Sequence, residues 1–235
     1  MKRIKVIVPV NTSIWNESIL EIFEKNKDSD TLIDIVNITK GPEAIEQHYD
    51  EVWSELFTLR EAEKAEVEGY DGIIIYCFGD PAVRAAKEKL RIPVVGIMEA
   101  SIHFASLLGK RFSIITTRNE GKFATEDLLK LYGFEKKCVS IRALGIEVLN
   151  LVDRSRLRKA ALETCRLAVE DDGADVLVFG CGSILGLREE ISEILKLPVI
   201  EPGITALKIC EDLIDVGLTH SKRAYPMPLN IKRQI

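Results

Sequence analysis

The chain of 235 residues is long enough for one large or two small α/β domains, and its 46% hydrophobic and 29% charged residues are typical of a globular protein. The net charge of −5 gives no electrostatic reason to expect nucleic acid or an anionic membrane as a partner. No apolar run approaches the ~20 residues that span a bilayer, and the start of the chain offers no signal-peptide cleavage site, so we expect a cytoplasmic protein.

The first half of the chain alternates strand patterns with helix patterns. Strands are expected at residues 4–10, 32–38, 73–76 and 92–97, and short helices around residues 19–23, after residue 81 and from residue 99. A longer helix, rich in Glu and Lys, is expected around residues 51–68. Its apolar residues recur at the spacing of a buried helix face: Val52, Leu56, Leu59 and Ala62.

The same alternation restarts in the second half. Strands are expected at residues 111–117, 139–141, 173–181 and 197–200, and helices at residues 122–131, 156–169, 187–195 and from residue 204. Strands that alternate with helices at this rhythm predict an α/β fold with a mostly parallel sheet flanked by helices.

Two stretches, one in each half, share a pattern of glycine, aspartate, apolar strand and cysteine. At equal spacing these are Gly69, Asp71 and Cys77 in the first stretch and Gly173, Asp175 and Cys181 in the second. A repeat on this scale predicts two similar lobes, with the strand ends and the cysteines facing one cleft. We expect residues 1–110 and 205–235 to form the first lobe, and residues 111–204 the second.

The cysteines are the strongest candidates for reactive groups. The five of them include no C-x-x-C pair, which argues against a zinc or thioredoxin-type site. The three histidines share no ligand spacing, and the chain has no G-x-S-x-G, G-x-G-x-x-G or P-loop motif, so we expect neither a metal nor an organic cofactor. Cys138, Cys165 and Cys210 are expected to be structural, the last two in the core within helix patterns, which leaves Cys77 and Cys181 at the strand tips.

Two thiols that face one carbon from opposite sides can invert a stereocentre. One removes a proton as a thiolate, and the other delivers a proton as a thiol. The helix N-terminus expected after each cysteine would lower its pKa and favour the thiolate. Hydrogen-bond donors would stabilise the carbanion; the candidates are the amides of Phe78, Gly79, Gly182 and Ser183 and the side chains of Asn11, Thr116 and Thr117.

Several segments resemble the hydantoin/allantoin racemase branch of the Asp/Glu/hydantoin racemase superfamily. They are residues 41–46 (G-P-x-x-I-E), 77–81 (C-F-G-D-P), 94–100 (V-V-G-x-x-E-A), 180–182 (on G-C-A-G) and 198–202 (on P-V-I-D-P). The resemblance runs along nearly the whole chain. The C-F-G-D-P segment together with the downstream cysteine is its specific part.

The resemblance implies a cofactor-independent racemase that inverts the Cα of a 5-substituted hydantoin or a related ureide such as allantoin. Cys77 and Cys181 would be its catalytic acid/base pair. It also implies an active site between two α/β lobes and a homo-oligomer. Asn11 and Ser13 are candidates for substrate binding or for capping the first helix, and Ile45 for an apolar wall beside the substrate or for simple packing.

The chain departs from the family pattern at three places. Where the family pattern begins with N-P-N-S/T-S, this chain has Pro-Val-Asn-Thr-Ser at residues 9–13. The C-A-G after the second strand is Cys-Gly-Ser at residues 181–183, and Glu201 replaces an aspartate. The first two departures lie in the expected pocket, so they bear on the substrate more than on the reaction type.

Other functions fit the same pattern. The superfamily also includes aspartate and glutamate racemases, maleate isomerases and arylmalonate decarboxylases; the decarboxylases use one active-site cysteine, which argues against them here. A metabolite-binding protein without turnover would use the cysteines only to shape a cleft. A cysteine amidase would need a partner histidine, which no spacing provides. Asp80 is interpreted as the cap of the helix that follows it rather than as a catalytic acid.

Overall fold

The computed structural model describes residues 1–233; Gln234 and Ile235, the end of the predicted first lobe, lie outside the described residues. The strands form two four-stranded parallel sheets, one in each half of the chain. Both sheets have the same order, with the second strand at one edge followed by the first, third and fourth. The predicted α/β fold with two similar lobes is therefore confirmed.

The first sheet comprises β1 (Lys2–Val8), β2 (Thr31–Asn37), β3 (Gly72–Ile75) and β4 (Val94–Gly96). Its helices are α1 (Asn16–Asn26), α2 (His48–Val67), α3 (Val83–Lys89) and α4 (Ile97–Leu108). Parallel strands need crossover connections, which these helices supply. β3 lies inside the sheet and is buried along its whole length, as expected for a strand that is covered on both faces.

The second sheet comprises β5 (Phe112–Thr116), β6 (Cys138–Ala143), β7 (Val176–Phe179) and β8 (Val199–Ile200). Its helices are α5 (Lys122–Tyr132), α6 (Arg154–Glu170), α7 (Arg188–Leu195) and α8 (Pro202–Asp215). Cys165 in α6 and Cys210 in α8 are buried in the core, as predicted. Within residues 1–233, no helix is both long enough and apolar enough to cross a membrane.

The repeated glycine and aspartate have the same structural role in both lobes. Gly69 and Gly173 adopt positive φ values of 79° and 70°, a conformation that favours glycine. The aspartates each accept a backbone amide at the beginning of the neighbouring central strand: Asp71 from Arg3 (2.7 Å) and Asp175 from Arg111 (3.2 Å). In each lobe these contacts align the two strands that lead to the candidate site.

One hydrophobic core extends through both lobes. Ile4 and Val6 of β1 belong to the same buried cluster as Ile114 of β5 and Val178 of β7. Helix α8 follows the second sheet in sequence but packs against β3 of the first. The lobes are therefore joined by shared packing as well as by the chain.

Helix α2 packs against the core mainly through small side chains. Its buried side chains are small: Ser54, Thr58, Ala62 and Ala65. Val52 and Leu56, the first two residues of the apolar helical pattern, are 70% and 38% exposed. Small residues let a helix backbone lie close to a sheet, which leaves the larger residues outside. With Tyr49 and Trp53 they form an exposed apolar surface, here called the α2 stripe.

Candidate functional site

The carboxyl ends of both sheets face a single cavity between the lobes. The two central strands of each sheet contribute to it, β1 and β3 from the first and β5 and β7 from the second. The lining residues at or just after these strand ends are Val8, Pro9, Val10, Tyr76, Cys77, Thr116, Thr117, Gly180 and Cys181. Parallel α/β sheets bind ligands at this edge, which makes the cavity the candidate active site.

Cys77 and Cys181 both line the cavity, on equivalent turns that follow β3 and β7. Burial raises the pKa of the Cys77 thiol well above its usual range and raises that of Cys181 to about 11. A turn amide opposes this effect at each sulfur: Gly79 at Cys77, and Ser183, whose N–H lies 3.4 Å from the Cys181 Sγ. The thiol is therefore the main form of both groups at neutral pH.

The expectation that a helix N-terminus lowers each thiol pKa is wrong. Helix α3 begins only at Val83 and α7 only at Arg188, so each starts more than one helical turn after its cysteine. In the first lobe the intervening turn is irregular, with positive φ values of 46° at Asp80 and 62° at Ala82. The field of a helix end falls off within about one turn, so burial decides the direction of the pKa shift.

Most of the other predicted site residues also line the cavity: Ile45, Phe78, Gly79, Thr116, Thr117, Gly182 and Ser183. Thr116 and Thr117 are only 5% and 8% exposed. Their carbonyl groups accept the amides of Leu144 and Gly145, each at 2.9 Å. These bonds fix the backbone at the end of β5.

Asn11 and Ser13 are not among the residues that line the cavity. Both are exposed. The Asn11 side-chain amide donates to the carbonyl of Gly41 at 2.9 Å, and the Ser13 carbonyl accepts the amide of Asn16 at the start of α1 at 3.0 Å. In this structure the contacts of both residues are therefore within the loops at the rim of the first lobe.

Two glutamates that sequence reasoning does not single out line the cavity. Glu46 Oε1 accepts the amide of Val148 at 2.6 Å, and its buried Oε2 has no hydrogen-bond partner among the described residues. Glu51 Oε2 lies 2.7 Å from His48 Nδ1, and a Cβ at Gly79 would lie only 2.5 Å from Glu51 Oε1. Burial raises the pKa of both carboxyl groups. The one sequence feature that could have pointed to Glu46 is its position at the end of the G-P-x-x-I-E segment.

The cavity lining carries no cationic side chain. Within residues 1–233, neither a lysine nor an arginine nor a histidine belongs to it. The charge of Arg118 lowers the pKa of Glu46 and so opposes the effect of burial. Arg118 itself forms a salt bridge with Glu120 at 3.1 Å. The same part of the chain has no group of three or more His, Cys, Asp or Glu side chains arranged to hold a metal ion. The cavity is acidic and otherwise mainly apolar.

Asp80 caps a different helix from the one that its sequence position predicts. Its carboxylate accepts the amides of Met98 (3.0 Å) and Glu99 (2.8 Å) in the first turn of α4, and the hydroxyl of Tyr132 in α5 (2.9 Å). Burial and the charge of Glu99 raise the pKa of Asp80 to about 7. Because Asp80 belongs to the turn after Cys77, it ties that turn to α4 and to the second lobe.

Comparison with known proteins finds relatives that match nearly the whole chain. The model of the family described as Asp/Glu/Hydantoin racemase matches residues 4–210. The chain is 36% identical to the hydantoin racemase of Pseudomonas sp. (strain NS671), over 96% of this chain and 92% of that protein. It is 33% identical to the hydantoin racemase of Paenarthrobacter aurescens, over 96% and 97%. The solved allantoin racemase from Klebsiella pneumoniae superposes with a TM-score of 0.93 at 34% identity, covering 100% of this chain and 97% of that one.

We predict that Asp80→Asn lowers the free energy of unfolding by about 2 kcal/mol. The amide NH₂ of the new side chain would face the N–H and O–H groups that now donate hydrogen bonds to the carboxylate. Urea unfolding at pH 8, where the native carboxyl is ionised, would measure the change. Asp212→Asn, at an exposed position of α8, is the control and should shift stability by no more than about 0.5 kcal/mol. Equal stability of Asp80→Asn and the unmodified protein would contradict the capping role.

Proposed function

The chain belongs to the Asp/Glu/hydantoin racemase family and is a racemase, and we propose that it inverts the Cα stereocentre of a hydantoin-type substrate. The substrate would be a 5-substituted hydantoin or allantoin, as the names of its relatives suggest. Cys77 and Cys181 would be the acid/base pair. The observation that carries the proposal is that both cysteines lie on equivalent turns and line one cavity.

In the proposed reaction one sulfur begins as a thiolate and the other as a thiol. The thiolate takes the Cα proton, and the electrons of the broken C–H bond move onto the adjacent carbonyl as an enolate. The second sulfur gives its proton to the opposite face of the carbon. The first sulfur ends protonated and the second ends as a thiolate, so the enzyme is left in the form that accepts the opposite enantiomer. Nothing is oxidised or reduced.

The charge of the cavity favours a neutral substrate. Glu46 and Glu51 line it, and no lysine, arginine or histidine of the described chain does so. The carboxylates of aspartate, glutamate or maleate would be repelled there, whereas the N–H groups of a hydantoin or ureide can donate to carboxylate oxygens. Trp15, Ile45 and Leu128 offer apolar surface for a 5-substituent. These features favour a hydantoin-type substrate over the aspartate/glutamate racemase and maleate isomerase alternatives.

We also propose that the protein forms a homo-oligomer through the α2 stripe. Tyr49, Val52 and Trp53 on this helix are 72%, 70% and 57% exposed. Contiguous apolar surface of this kind typically marks a protein interface. The stripe lies on the same helix as Glu51, so an interface there would form next to the cavity.

Incubation of each enantiomer of a 5-substituted hydantoin in heavy water tests the two-thiol mechanism. We expect Cys77→Ala and Cys181→Ala each to slow inversion about 10²–10⁴-fold, because one partner in proton transfer is lost. Each variant keeps one thiol and should still exchange the Cα proton of one enantiomer without inverting it. The enantiomer that exchanges should differ between the two variants. Chiral chromatography with mass spectrometry, corrected for spontaneous racemisation, measures both processes.

Cys138→Ala is the matched control, because Cys138 is a half-buried cysteine outside the cavity lining. It should keep the unmodified rate. Unmodified inversion by either active-site variant would contradict the two-thiol mechanism. Inversion of aspartate or glutamate without action on any hydantoin would support the amino-acid racemase alternative, and no turnover of any of these compounds would support a metabolite-binding protein.

The raised thiol pKa values predict that activity increases with pH. Burial raises the pKa of Cys181 to about 11 and that of Cys77 as well, so the thiolate is a minor form at neutral pH. Below its pKa, the thiolate fraction of a group rises about tenfold per pH unit. We expect kcat/KM to rise by about this factor per unit between pH 7 and pH 9, as measured from initial rates with both enantiomers. A plateau that begins below pH 8 would contradict the prediction.

A further inference from the structure

Tyr76 spans the interface between the lobes, and its two ends lie beside the two active-site cysteines. It follows β3 and directly precedes Cys77, and its backbone amide donates to the carbonyl of Ile7 at 2.8 Å. The side chain is 4% exposed. Its hydroxyl donates to the carbonyl of Gly182, the residue directly after Cys181, at 3.1 Å.

The ring of Tyr76 is held between two glycines. A Cβ at Gly182 would lie 2.7 Å from Tyr76 Cε1, and a Cβ at Gly203 in α8 would lie 2.6 Å from Cε2. Real Cβ atoms do not approach other atoms this closely, so neither position accepts a side chain while the ring is in place. Phe23 packs edge-on against the same ring at a centroid distance of 5.7 Å. The ring is therefore closely packed on the sides that face Gly182, Gly203 and Phe23.

We propose that Tyr76 and Gly182 are a positioning pair that sets the separation of the two thiols. This inference rests on the proposed function, because the separation matters only if both sulfurs must reach opposite faces of one carbon. Transfer of a proton is sensitive to displacements of about 1 Å, which can change a rate about 100-fold. A rigid link that is one residue from each cysteine controls this distance directly.

The pair also explains why the chain departs from the family pattern after its second cysteine. The pattern has alanine where this chain has Gly182. The methyl group of that alanine would lie only 2.7 Å from Cε1 of the Tyr76 ring. The glycine therefore does not simply loosen the turn, because the ring of the opposite lobe replaces the missing side chain.

Removal of the hydroxyl tests the link without disturbing the ring. We expect Tyr76→Phe to lower kcat about tenfold for both enantiomers with little change in KM. In heavy water it should also raise the ratio of Cα exchange to inversion, because the first thiol still reaches the carbon while the second is displaced. Tyr70→Phe is the matched control: Tyr70 lies just before β3, is 6% exposed, and donates to Asp34 at 2.7 Å far from the cavity lining.

Addition of a methyl group tests the steric half of the pair. Gly182→Ala should lower kcat about 100-fold, and the double variant Gly182→Ala/Tyr76→Val should recover at least about tenfold of this loss because the ring is gone. Its remaining close contact would be the flexible end of Ile97, at 3.2 Å. Circular dichroism at the assay temperature confirms that each variant is folded, and all rates are expressed per folded molecule.

Equal effects of Tyr76→Phe and Tyr70→Phe on kcat and on the exchange ratio would overturn the proposal, as would failure of the double variant to recover activity. The Tm values of the unmodified protein, Tyr76→Val, Gly182→Ala and the double variant, and the iodoacetamide labelling rate of Cys181 in each, report on the same contact without substrate. If the unmodified protein inverts no hydantoin, the proposed function fails. In that case the pairing of Tyr76 with Gly182 is supported if the two substitutions have non-additive effects on the Tm and on the labelling rate. Additive effects contradict it.

Discussion

The meeting of two equivalent strand ends in one buried cavity is the constraint on which the rest of the structure depends. β3 and β7 are buried along their whole length, and the core beneath them draws residues from both sheets. This arrangement puts Cys77 and Cys181 in the same cavity, where both residues are half-buried and burial raises the pKa values of their thiols.

Burial acts in the same direction on every acidic group in the cavity. It raises the pKa values of Glu46 and Glu51 as well as those of the thiols. A cavity with a low dielectric, to which residues 1–233 contribute no cationic side chain, disfavours a second carboxylate but strengthens hydrogen bonds from neutral N–H groups. In the proposed reaction the charge of the enolate would be stabilised by backbone amides and hydroxyl groups, which supply donors without a formal charge. The proposed substrate preference and the proposed thiol chemistry thus have one physical cause.

The sequence predicts the parts of this structure that depend on local pattern. The alternation of strands and helices and the spacing of Gly69 and Asp71, repeated in the second lobe, suffice for the two sheets and for the placement of both cysteines at strand ends. Contacts between elements distant in sequence could not be predicted. Asp80 caps α4 because the turn before α3 is irregular, and α2 buries small residues because it lies close to its sheet. The sequence does not indicate that Glu51 lines the cavity, because this residue lies on a helix rich in charged residues.

Two of the three departures of this chain from the family pattern, at Gly182 and at Glu201, lie at the turn after Cys181. Tyr76 contacts the beginning of this turn at Gly182. Glu201, where the pattern has the shorter aspartate, is 3% exposed and accepts the amide of Gly186 at 3.1 Å near the end of the turn. The turn is therefore held at both ends by side chains from outside it. Gly182 and Glu201, which are distant in the sequence, therefore both contribute to the contacts of the one turn that carries Cys181.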